Sequence, residues 1–196
     1  LGLAGLVGAG RGDIGRALFG LERVTSGSMK LQGREIQPRS PRKAITAGVG
    51  LLPRNRKADG LMMQMSVRDN QSLASLRRFS TAGVLRLQRE AQATDKVARQ
   101  TRLKAASPHV EVNALSGGNQ QKSLLARWLM VDPDVYFLDD PTRGVDVGAK
   151  EDIYALIEEL AAKGKGVLLV SSELPELLRC CDRILVLNQG CQAAVV

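Results

Sequence analysis

The last third of the chain alternates short, wholly apolar segments with segments whose apolar residues recur at helical spacing. Residues 135–138 and 166–170 form continuous apolar runs of strand length, and neither shows the polar alternation of a half-exposed strand. Between them, residues 148–162 repeat apolar side chains at i, i+3, i+4 and i+7, as an amphipathic helix does. A short helix at 173–178 and a further strand at 183–187 continue the alternation. Buried strands that alternate with helices predict an α/β fold with a parallel sheet flanked by helices.

Residues 1–60 continue this pattern. Aromatic residues make up only 3% of the chain, so aliphatic side chains must fill the core of the sheet domain. The predicted elements are a strand at 3–7, a glycine-rich turn at 8–10, a helix at 12–19, strands at 29–32 and 49–52, and a polar, basic loop at 53–60.

The middle of the chain is predicted to be helical. Helical signals cover residues 67–76, 88–105 and 119–131, and strand signals are absent there. Trp128 lies on the apolar stripe of the third helix, which predicts a core position. We therefore predict one domain over residues 1–196, with a helical subdomain inserted into the sheet domain. The predicted division is an α/β core at 1–60 and 132–196 and a helical subdomain at 61–131.

The composition limits the classes of function. The net charge is +8, and residues 76–104 hold most of it, with eight Lys or Arg and two acidic residues. Aromatic interleaving there is limited to Phe79, so we interpret the segment as a solvated helical face rather than a nucleic-acid site. Three cysteines without C-x-x-C spacing and a single histidine argue against a zinc site and exclude chemistry that needs two histidines. No apolar run approaches the roughly 20 residues that cross a bilayer.

Two segments carry chemical signals. In the stretch ALSGGNQQK, residues 114–122, two glycines follow a serine and open a helix, which exposes backbone N–H groups at the positive end of the helix dipole. A plain helix cap by Ser116 is the simpler interpretation of this segment alone. Residues 135–146, however, place Asp139 and Asp140 at the end of a buried strand, where a Mg²⁺–phosphate site requires a carboxylate. Together the two segments favour phosphate chemistry.

These segments, in this order, resemble the ABC ATPase family over nearly the whole chain. LSGGNQQK matches the family signature, and YFLDDPTRGVD matches its Walker B strand and D-loop. The segments GNQQK, PTRGVDVGAK and SSELPE resemble those of the second ATP-binding domain of bacterial carbohydrate importers of the ribose and galactose kind. The resemblance implies a P-loop NTPase-like α/β fold that lacks the family's N-terminal β-subdomain here, as a fragment of a longer protein would.

The resemblance also implies a function and partners. Two ATP-binding domains of one polypeptide close head to tail on two ATP molecules with Mg²⁺, and each ATP lies between the phosphate loop of one domain and the signature loop of the other. Closure drives transmembrane permease subunits, and a periplasmic or extracellular sugar-binding protein delivers the sugar. Such a domain works at the cytoplasmic face of the bacterial inner membrane, with no nucleic-acid partner expected.

The family motifs assign roles to individual residues of this chain. The nucleotide-binding loop comprises Gly5, Gly8, Gly10, Arg11, Gly12 and Asp13. The signature loop comprises Leu115, Ser116, Gly117, Gly118, Asn119 and Gln120. The remaining positions are Asp139 on the metal, Asp140 as the catalytic residue, Asp146 in the D-loop and Ser172 at the switch position.

Several residues of the nucleotide site depart from the family pattern. Arg11 stands where a lysine contacts the β- and γ-phosphates, and Gly12 stands where a hydroxyl holds Mg²⁺. Asp13 adds a carboxylate that is expected to cap the following helix. Asp140 replaces a glutamate and is one methylene shorter, and Ser172 replaces the switch histidine.

The basic loop departs from the pattern as well. Residues 53–57, PRNRK, match the stretch that couples nucleotide to the membrane subunit, but Arg54 and Asn55 stand where relatives usually carry an acidic pair. The favoured interpretation is an importer domain with an intact signature loop and a weak site of its own. The alternatives are a degenerate, non-catalytic scaffold domain and a soluble ABC ATPase that acts on nucleic acid or ribosomes.

Overall fold

The computed structural model describes residues 1–6 and 8–196, which form two compact units. The sheet unit consists of Leu1–Leu51, Pro133–Asp140 and Leu160–Val196. The helical unit consists of Leu52–Asp132 and Pro141–Glu159, so residues 52–60 and 141–159 group with the helices of the middle of the chain.

Strands and helices alternate along much of the described chain. The strands are β1 (Gly2–Gly5), β2 (Met29–Leu31), β3 (Arg34–Ile36), β4 (Val49–Leu52), β5 (Ser80–Thr81), β6 (Val84–Leu85), β7 (Val135–Asp139), β8 (Gly166–Val170), β9 (Ile184–Asn188) and β10 (Cys191–Val195). The α-helices are α1 (Arg11–Leu18), α2 (Pro41–Thr46), α3 (Val67–Ser72), α4 (Leu87–Gln100), α5 (Gly117–Val131), α6 (Val147–Ala162) and α7 (Leu174–Cys180). Shorter turns are a π-helix at Arg56–Gly60 and 3₁₀ turns at Leu76–Phe79 and Val112–Ala114.

The main sheet has the strand order β10-β9-β1-β8-β7-β4. Strand β1 pairs in parallel with β8 and β9, and β7 pairs in parallel with β8, as the sequence predicts. The predicted parallel sheet is confirmed, and β10, for which no strand is predicted, adds an antiparallel strand at one edge, so the sheet is mixed. All five residues of β10 are exposed although four of them are apolar, so this strand is not one of the buried strands that apolar runs indicate.

Parallel pairing sets the position of the candidate nucleotide site. Because β1, β7 and β8 run in the same direction, their carboxyl ends meet at one edge of the sheet. The glycine-rich turn after β1, Asp139 at the end of β7 and Ser171 after β8 therefore lie at that edge.

The core under this edge is small and closely packed. Leu3, Phe137 and Val170 are buried together, and Ile14 of α1 packs against them. A Cβ atom on Gly15 would lie 2.4 Å from Cε1 of Phe137, so the absence of a side chain at this position lets α1 approach the sheet. The prediction of a helix after the glycine-rich turn is confirmed, with α1 beginning at Arg11.

The helical unit is built around α5. Its core contains Val97 of α4 with Ala126 and Met130 of α5. Trp128 is only 5% exposed, which confirms its predicted core position. The predicted absence of strands is wrong, since β5 and β6 form a two-residue hairpin. The turn residues Ala82 and Gly83 have φ of 50° and 81°, the paired positive φ values of a type I′ turn, and only Gly83 marks them in the sequence.

The loop predicted at 53–60 contains a π-helix at Arg56–Gly60. The side chain of Asn55 caps it by accepting hydrogen bonds from the N–H groups of Lys57 and Ala58. Single-turn π-helices occur frequently at functional sites. The guanidinium of Arg127 fixes the end of this turn by donating to the carbonyl of Gly60 at 2.6 Å.

Sequence reasoning missed α2 and β3. The start of α2 carries a recognisable signal, since Ser40 caps the helix through the N–H of Lys43 and Pro41 occupies its first turn. Among the described residues no helix is both long and apolar enough to cross a membrane.

Candidate functional site

The turn after β1 leads directly into α1. Gly8 and Gly10 have φ of 85° and 90°, conformations that glycine adopts readily and other residues rarely do. No side chain caps the start of α1, so the expected cap from Asp13 is not observed, and Asp13 lies exposed in the first turn. Val7, at the end of the predicted strand 3–7, lies outside the described residues.

Arg11 is buried at this edge, with 7% of its surface exposed. Its Nη1 group donates a hydrogen bond of 2.8 Å to the carbonyl oxygen of Ser171, just after β8. A guanidinium held in this way ties the start of α1 to the segment that contains the switch position, Ser172. This geometry differs from that of a flexible lysine, which reaches phosphates as a point charge.

Gly12 faces the carboxylate of Asp139. A Cβ atom on Gly12 would lie 3.5 Å from Oδ2 of Asp139, so a serine or threonine at this position would bring its hydroxyl close to that carboxylate. P-loop sites hold Mg²⁺ with such a hydroxyl and such a carboxylate, and here only the carboxylate is present. The described residues contain no group of three or more His, Cys, Asp or Glu that would hold a metal ion instead. The residues present therefore do not fit a Mg²⁺ ion held in the P-loop manner.

Asp140 is directed toward the switch position. Its Oδ1 accepts hydrogen bonds from both the N–H of Ser172, at 2.7 Å, and the hydroxyl of Ser172, at 2.8 Å. The residue is 5% exposed and has φ of 47°, a left-handed conformation that aspartate tolerates better than most residues. The structure thus brings Asp140 and Ser172 together, as it does Arg11 and Ser171.

The predicted signature loop, residues 115–120, lies in the helical unit. Ser116 caps α5, since its hydroxyl oxygen accepts hydrogen bonds from the backbone N–H and the side-chain amide of Asn119. The side-chain oxygen of Asn119 in turn accepts from the N–H of Lys104 at 2.8 Å. Ser116 is exposed, and the helix that it caps is 15 residues long. The first turn of a helix of this length, together with an exposed hydroxyl, can bind an anion.

The D-loop residue Asp146 lies beside this helix start. Its Oδ1 caps α6 by accepting from the N–H of Ala149 at 2.9 Å. A Cβ atom on Gly118 would lie 2.6 Å from Cβ of Ala149 and 3.1 Å from Oδ2 of Asp146, so the first turns of α5 and α6 are in close contact. A cavity of about 310 Å³ opens between them. Its lining residues are Lys104, Ser116, Gly118, Asn119, Lys122, Asp146, Gly148, Ala149 and Asp152.

A salt bridge joins α5 and α6 below the loops. Lys122 Nζ lies 2.6 Å from Oδ2 of Asp152, and Arg102 Nη1 lies 2.8 Å from Oδ1 of the same carboxylate. The hydrogen bond from Lys122 is the main cause that holds the pKa of Asp152 below its usual range. Sequence reasoning missed this pair because the partners are 30 residues apart and neither position is marked locally.

The basic loop lines a second cavity, of about 210 Å³, in the helical unit. Its lining residues are Arg54, Asn55, Arg56, Lys57, Arg143 and Gly144. Burial, and next the charge of Arg143, lower the pKa of Arg56. The described residues that line this cavity include four cationic side chains and no acidic one.

Comparison with known proteins assigns this arrangement to a family. A profile of the ABC transporter family matches residues 1–143. The chain belongs to the ABC transporter family. The family resemblance predicted from the signature and Walker B segments is therefore confirmed.

Among its ABC relatives are sugar importers. The ribose import ATP-binding protein RbsA of Chromobacterium violaceum is 47% identical over the whole chain, and RbsA of Bacillus subtilis is 44% identical over 97% of it. A putative ribose/galactose/methyl galactoside import ATP-binding protein of Agrobacterium fabrum is 46% identical over 97% of the chain. The match occupies only 38–39% of these relatives, so the chain spans about two fifths of their length. The predicted likeness to ribose-type importers is confirmed.

Solved ABC structures have the same fold. An ATP-binding cassette dimer in a post-hydrolysis state bound to ADP and Pi matches with a TM-score of 0.84 and 20% identity. That match covers the whole of this chain and 83% of the other. A nucleotide-free ATP-binding cassette matches with a TM-score of 0.83 and 19% identity over 99% of this chain and 78% of the other. At these identities the likeness concerns the fold, and it confirms the predicted α/β P-loop NTPase-like class.

Proposed function

We propose that this chain is an ATP-binding domain of a bacterial carbohydrate importer of the ribose or galactose type. Its signature loop serves ATP bound by a sister domain, and its own nucleotide site is weak or inert in hydrolysis. Support comes from relatives named as ribose import ATP-binding proteins, which are 43–47% identical to most or all of the chain. The chain matches only 39% of the length of such a relative, as expected for one ATP-binding domain of a protein that contains two.

The partners follow from this proposal. The domain pairs with a sister ATP-binding domain in the same polypeptide and acts on transmembrane permease subunits, at the cytoplasmic face of the bacterial inner membrane. A periplasmic or extracellular sugar-binding protein is an indirect partner. The basic loop at residues 54–57 is proposed to face the permease, and its charge would then require an acidic surface there.

The observation that carries the proposal is the state of Arg11 and Gly12. The guanidinium of Arg11 is buried and hydrogen-bonded to the carbonyl of Ser171, and Gly12 faces Asp139 without a hydroxyl. In a P-loop site, a lysine binds the phosphates and a hydroxyl binds Mg²⁺. Here Arg11 stands at the lysine position and donates to a backbone carbonyl, and Gly12 has no hydroxyl. Asp140, the residue proposed to orient water, has its Oδ1 held by Ser172.

The signature loop has the groups that its proposed role requires. The exposed hydroxyl of Ser116 and the N–H groups of the first turn of α5 can donate to phosphate oxygens of ATP held by the sister domain. The loop is fixed before ATP arrives, because Ser116, Asn119 and the N–H of Lys104 are already hydrogen-bonded together. Donors that need no rearrangement stabilise the charge that develops during hydrolysis, and each such donor accounts for roughly 100- to 1000-fold in rate.

The test compares two substitutions in the full-length protein assembled with its permease. Ser116→Arg places a bulky cation where the phosphate would lie, and we expect ATP turnover and transport to be abolished. Asp140→Asn removes only the carboxylate of this chain's own site, and we expect transport to change less than twofold. Turnover is measured by phosphate release and transport by sugar uptake.

Ser28→Arg provides the matched control, since it makes the same change at an exposed position of the sheet unit. Equal damage from Ser116→Arg and Asp140→Asn would contradict the proposal and indicate that both sites hydrolyse ATP. Unchanged turnover in Ser116→Arg would instead favour a degenerate domain that only scaffolds its partners.

A further inference from the structure

One side chain of the basic loop contacts two other segments of the helical unit, each of which carries a different sequence motif. The guanidinium of Arg56, at the start of the π-helix, donates from Nη1 to the carbonyl of Arg143 at 2.7 Å and from Nη2 to the carbonyl of Gly144 at 3.1 Å. Its third donor, Nε, lies 3.3 Å from Oε1 of Gln120 in α5. Arg56 therefore links the basic loop to residues 143–144, in the segment that contains the predicted D-loop, and to α5, which begins in the predicted signature loop.

Gln120 extends this contact to the backbone of the signature loop. Its side chain is 4% exposed, and Nε2 donates to the carbonyl of Leu115 at 3.1 Å and to that of Val112 at 3.4 Å. The oxygen of this amide faces Arg56, and its nitrogen faces the two carbonyls. A donor at Arg56 thus orients the amide so that its nitrogen faces the residue before Ser116.

The backbone is crowded at the same point. A Cβ atom on Gly117 would lie 2.7 Å from the carbonyl oxygen of Gly144 and 2.8 Å from Nη2 of Arg56. The signature loop and the D-loop therefore meet at the guanidinium with no room for a side chain between them.

The surroundings of Arg56 show what holds it. The described residues that line the adjoining cavity include Arg54, Lys57 and Arg143 but no acid, so no carboxylate in that lining neutralises the guanidinium. Neutral carbonyl and amide oxygens hold the group in place through three hydrogen bonds, one to each nitrogen of the guanidinium. Lysine cannot reproduce this arrangement, because its ammonium is a point donor without the planar fork.

We propose that Arg56 is a positioning residue for the signature loop. It holds the backbone around Ser116 and Gly117 in place through Gln120 and through the carbonyls of Arg143 and Gly144. This inference rests on the proposed function insofar as the signature loop serves ATP, while the mechanical link itself does not depend on ATP.

The test uses the full-length protein with its permease and two measurements on each variant. Hydrogen–deuterium exchange without nucleotide reports the amides of residues 115–119, and steady-state kinetics report kcat and KM for ATP. For Arg56→Gln we expect exchange at these amides to rise at least tenfold. We also expect kcat to fall at least tenfold with KM changed less than twofold, because the sister domain still binds ATP in the ground state.

Two further variants make the test specific. Lys57→Gln removes the same charge from the same loop and cavity, and we expect exchange at residues 115–119 within twofold of the wild type. Gln120→Glu keeps an acceptor for Arg56 but loses both donors to the carbonyls of residues 112 and 115, and we expect the loss seen in Arg56→Gln. If Arg56→Gln fails to fold, Arg56→Lys is used instead, with the same expectation.

The outcomes separate this inference from the proposed function. Wild-type exchange at residues 115–119 in the Arg56 variants would overturn the inference, whatever happens to turnover. An equal rise of exchange in Lys57→Gln would also overturn it, because charge rather than geometry would then be responsible. Faster exchange with unchanged turnover would uphold the positioning role of Arg56 and refute the proposed use of the signature loop for ATP.

Discussion

Replacing Gly118 by alanine should damage function far more than stability. The added Cβ would lie 2.6 Å from Cβ of Ala149, whereas carbon atoms in contact prefer separations of about 3.5–4.0 Å. The first turns of α5 and α6 must therefore separate by about 1 Å. Overpacking of this kind costs about 1–3 kcal/mol, and the helix propensity of alanine offsets about 1 kcal/mol. A net loss of about 0–2 kcal/mol leaves the protein folded.

The functional loss follows from displacement of the signature loop. A shift of about 1 Å in a catalytic arrangement reduces the rate roughly 100-fold, so we expect kcat of the full-length protein to fall by about that factor. The assay is phosphate release at saturating ATP, with urea unfolding to measure the free energy of unfolding. Gly148→Ala is the matched control, because its Cβ would lie 3.4 Å from Oδ1 of Asp146, and turnover should remain within twofold of the wild type.

A compensating substitution provides the decisive test. Combining Gly118→Ala with Ala149→Gly moves the methyl group from one helix to the other and removes the 2.6 Å contact. We expect kcat of the double variant to recover at least tenfold over Gly118→Ala. Wild-type turnover in Gly118→Ala, or a double variant as inactive as the single one, would refute this account of helix spacing.

Two further predictions concern stability. Gly15→Ala should lower the free energy of unfolding by about 1–2 kcal/mol. Its Cβ would lie 2.4 Å from the buried ring of Phe137, and the cost of overpacking exceeds the gain in helix propensity. A free energy of unfolding equal to that of the wild type, measured by urea unfolding, would contradict this prediction. Asp152→Asn should cost about 1–2 kcal/mol at pH 7 by weakening the contact with Lys122, whose side chain is 8% exposed. Because the pKa of Asp152 is lowered in the folded protein, this contribution is present in full above about pH 4 and is lost as the pH falls through the folded-state value. The difference from the wild type should therefore shrink in urea titrations toward pH 2, and a constant difference would argue against the ion pair.

The sequence predicts the buried parts of the fold well. Strands β4 and β8 begin and end at the predicted residues, 49–52 and 166–170. Each is a continuous apolar run, and three of the four residues of β4 are buried, so there the pattern and the structure have the same cause. In β8 only Leu169 and Val170 are buried. Strand β10 is exposed despite its apolar residues, and the hairpin formed by β5 and β6 has no apolar run, so pairing and turn conformation rather than burial form these elements.

The sequence motifs and the side-chain contacts give different kinds of information about the site. The motifs assign Arg11, Asp140 and Ser172 to positions by family resemblance, and their roles stay predictions. They do not indicate that Arg11 donates to the carbonyl of Ser171 or that Asp140 accepts from Ser172. These contacts join positions 160 and 32 residues apart, and such pairings depend on the order of strands in the sheet rather than on local sequence.

Different contacts hold the loops of the two units. This difference supports the proposal that the signature loop acts on ATP while the chain's own nucleotide site is weak. In the sheet unit, the replaced residues Arg11 and Asp140 are held by the segment after β8, and a bound phosphate would have to compete with those contacts. In the helical unit, Arg56 donates to Gln120, which in turn donates to the carbonyl of the residue before Ser116, while Ser116 itself remains exposed. Donors that are fixed by contacts within the protein and exposed to solvent can stabilise charge on an incoming ligand without rearrangement. This contrast supports the proposal that the signature loop, rather than the chain's own nucleotide site, acts on ATP, and that a sister domain holds this ATP.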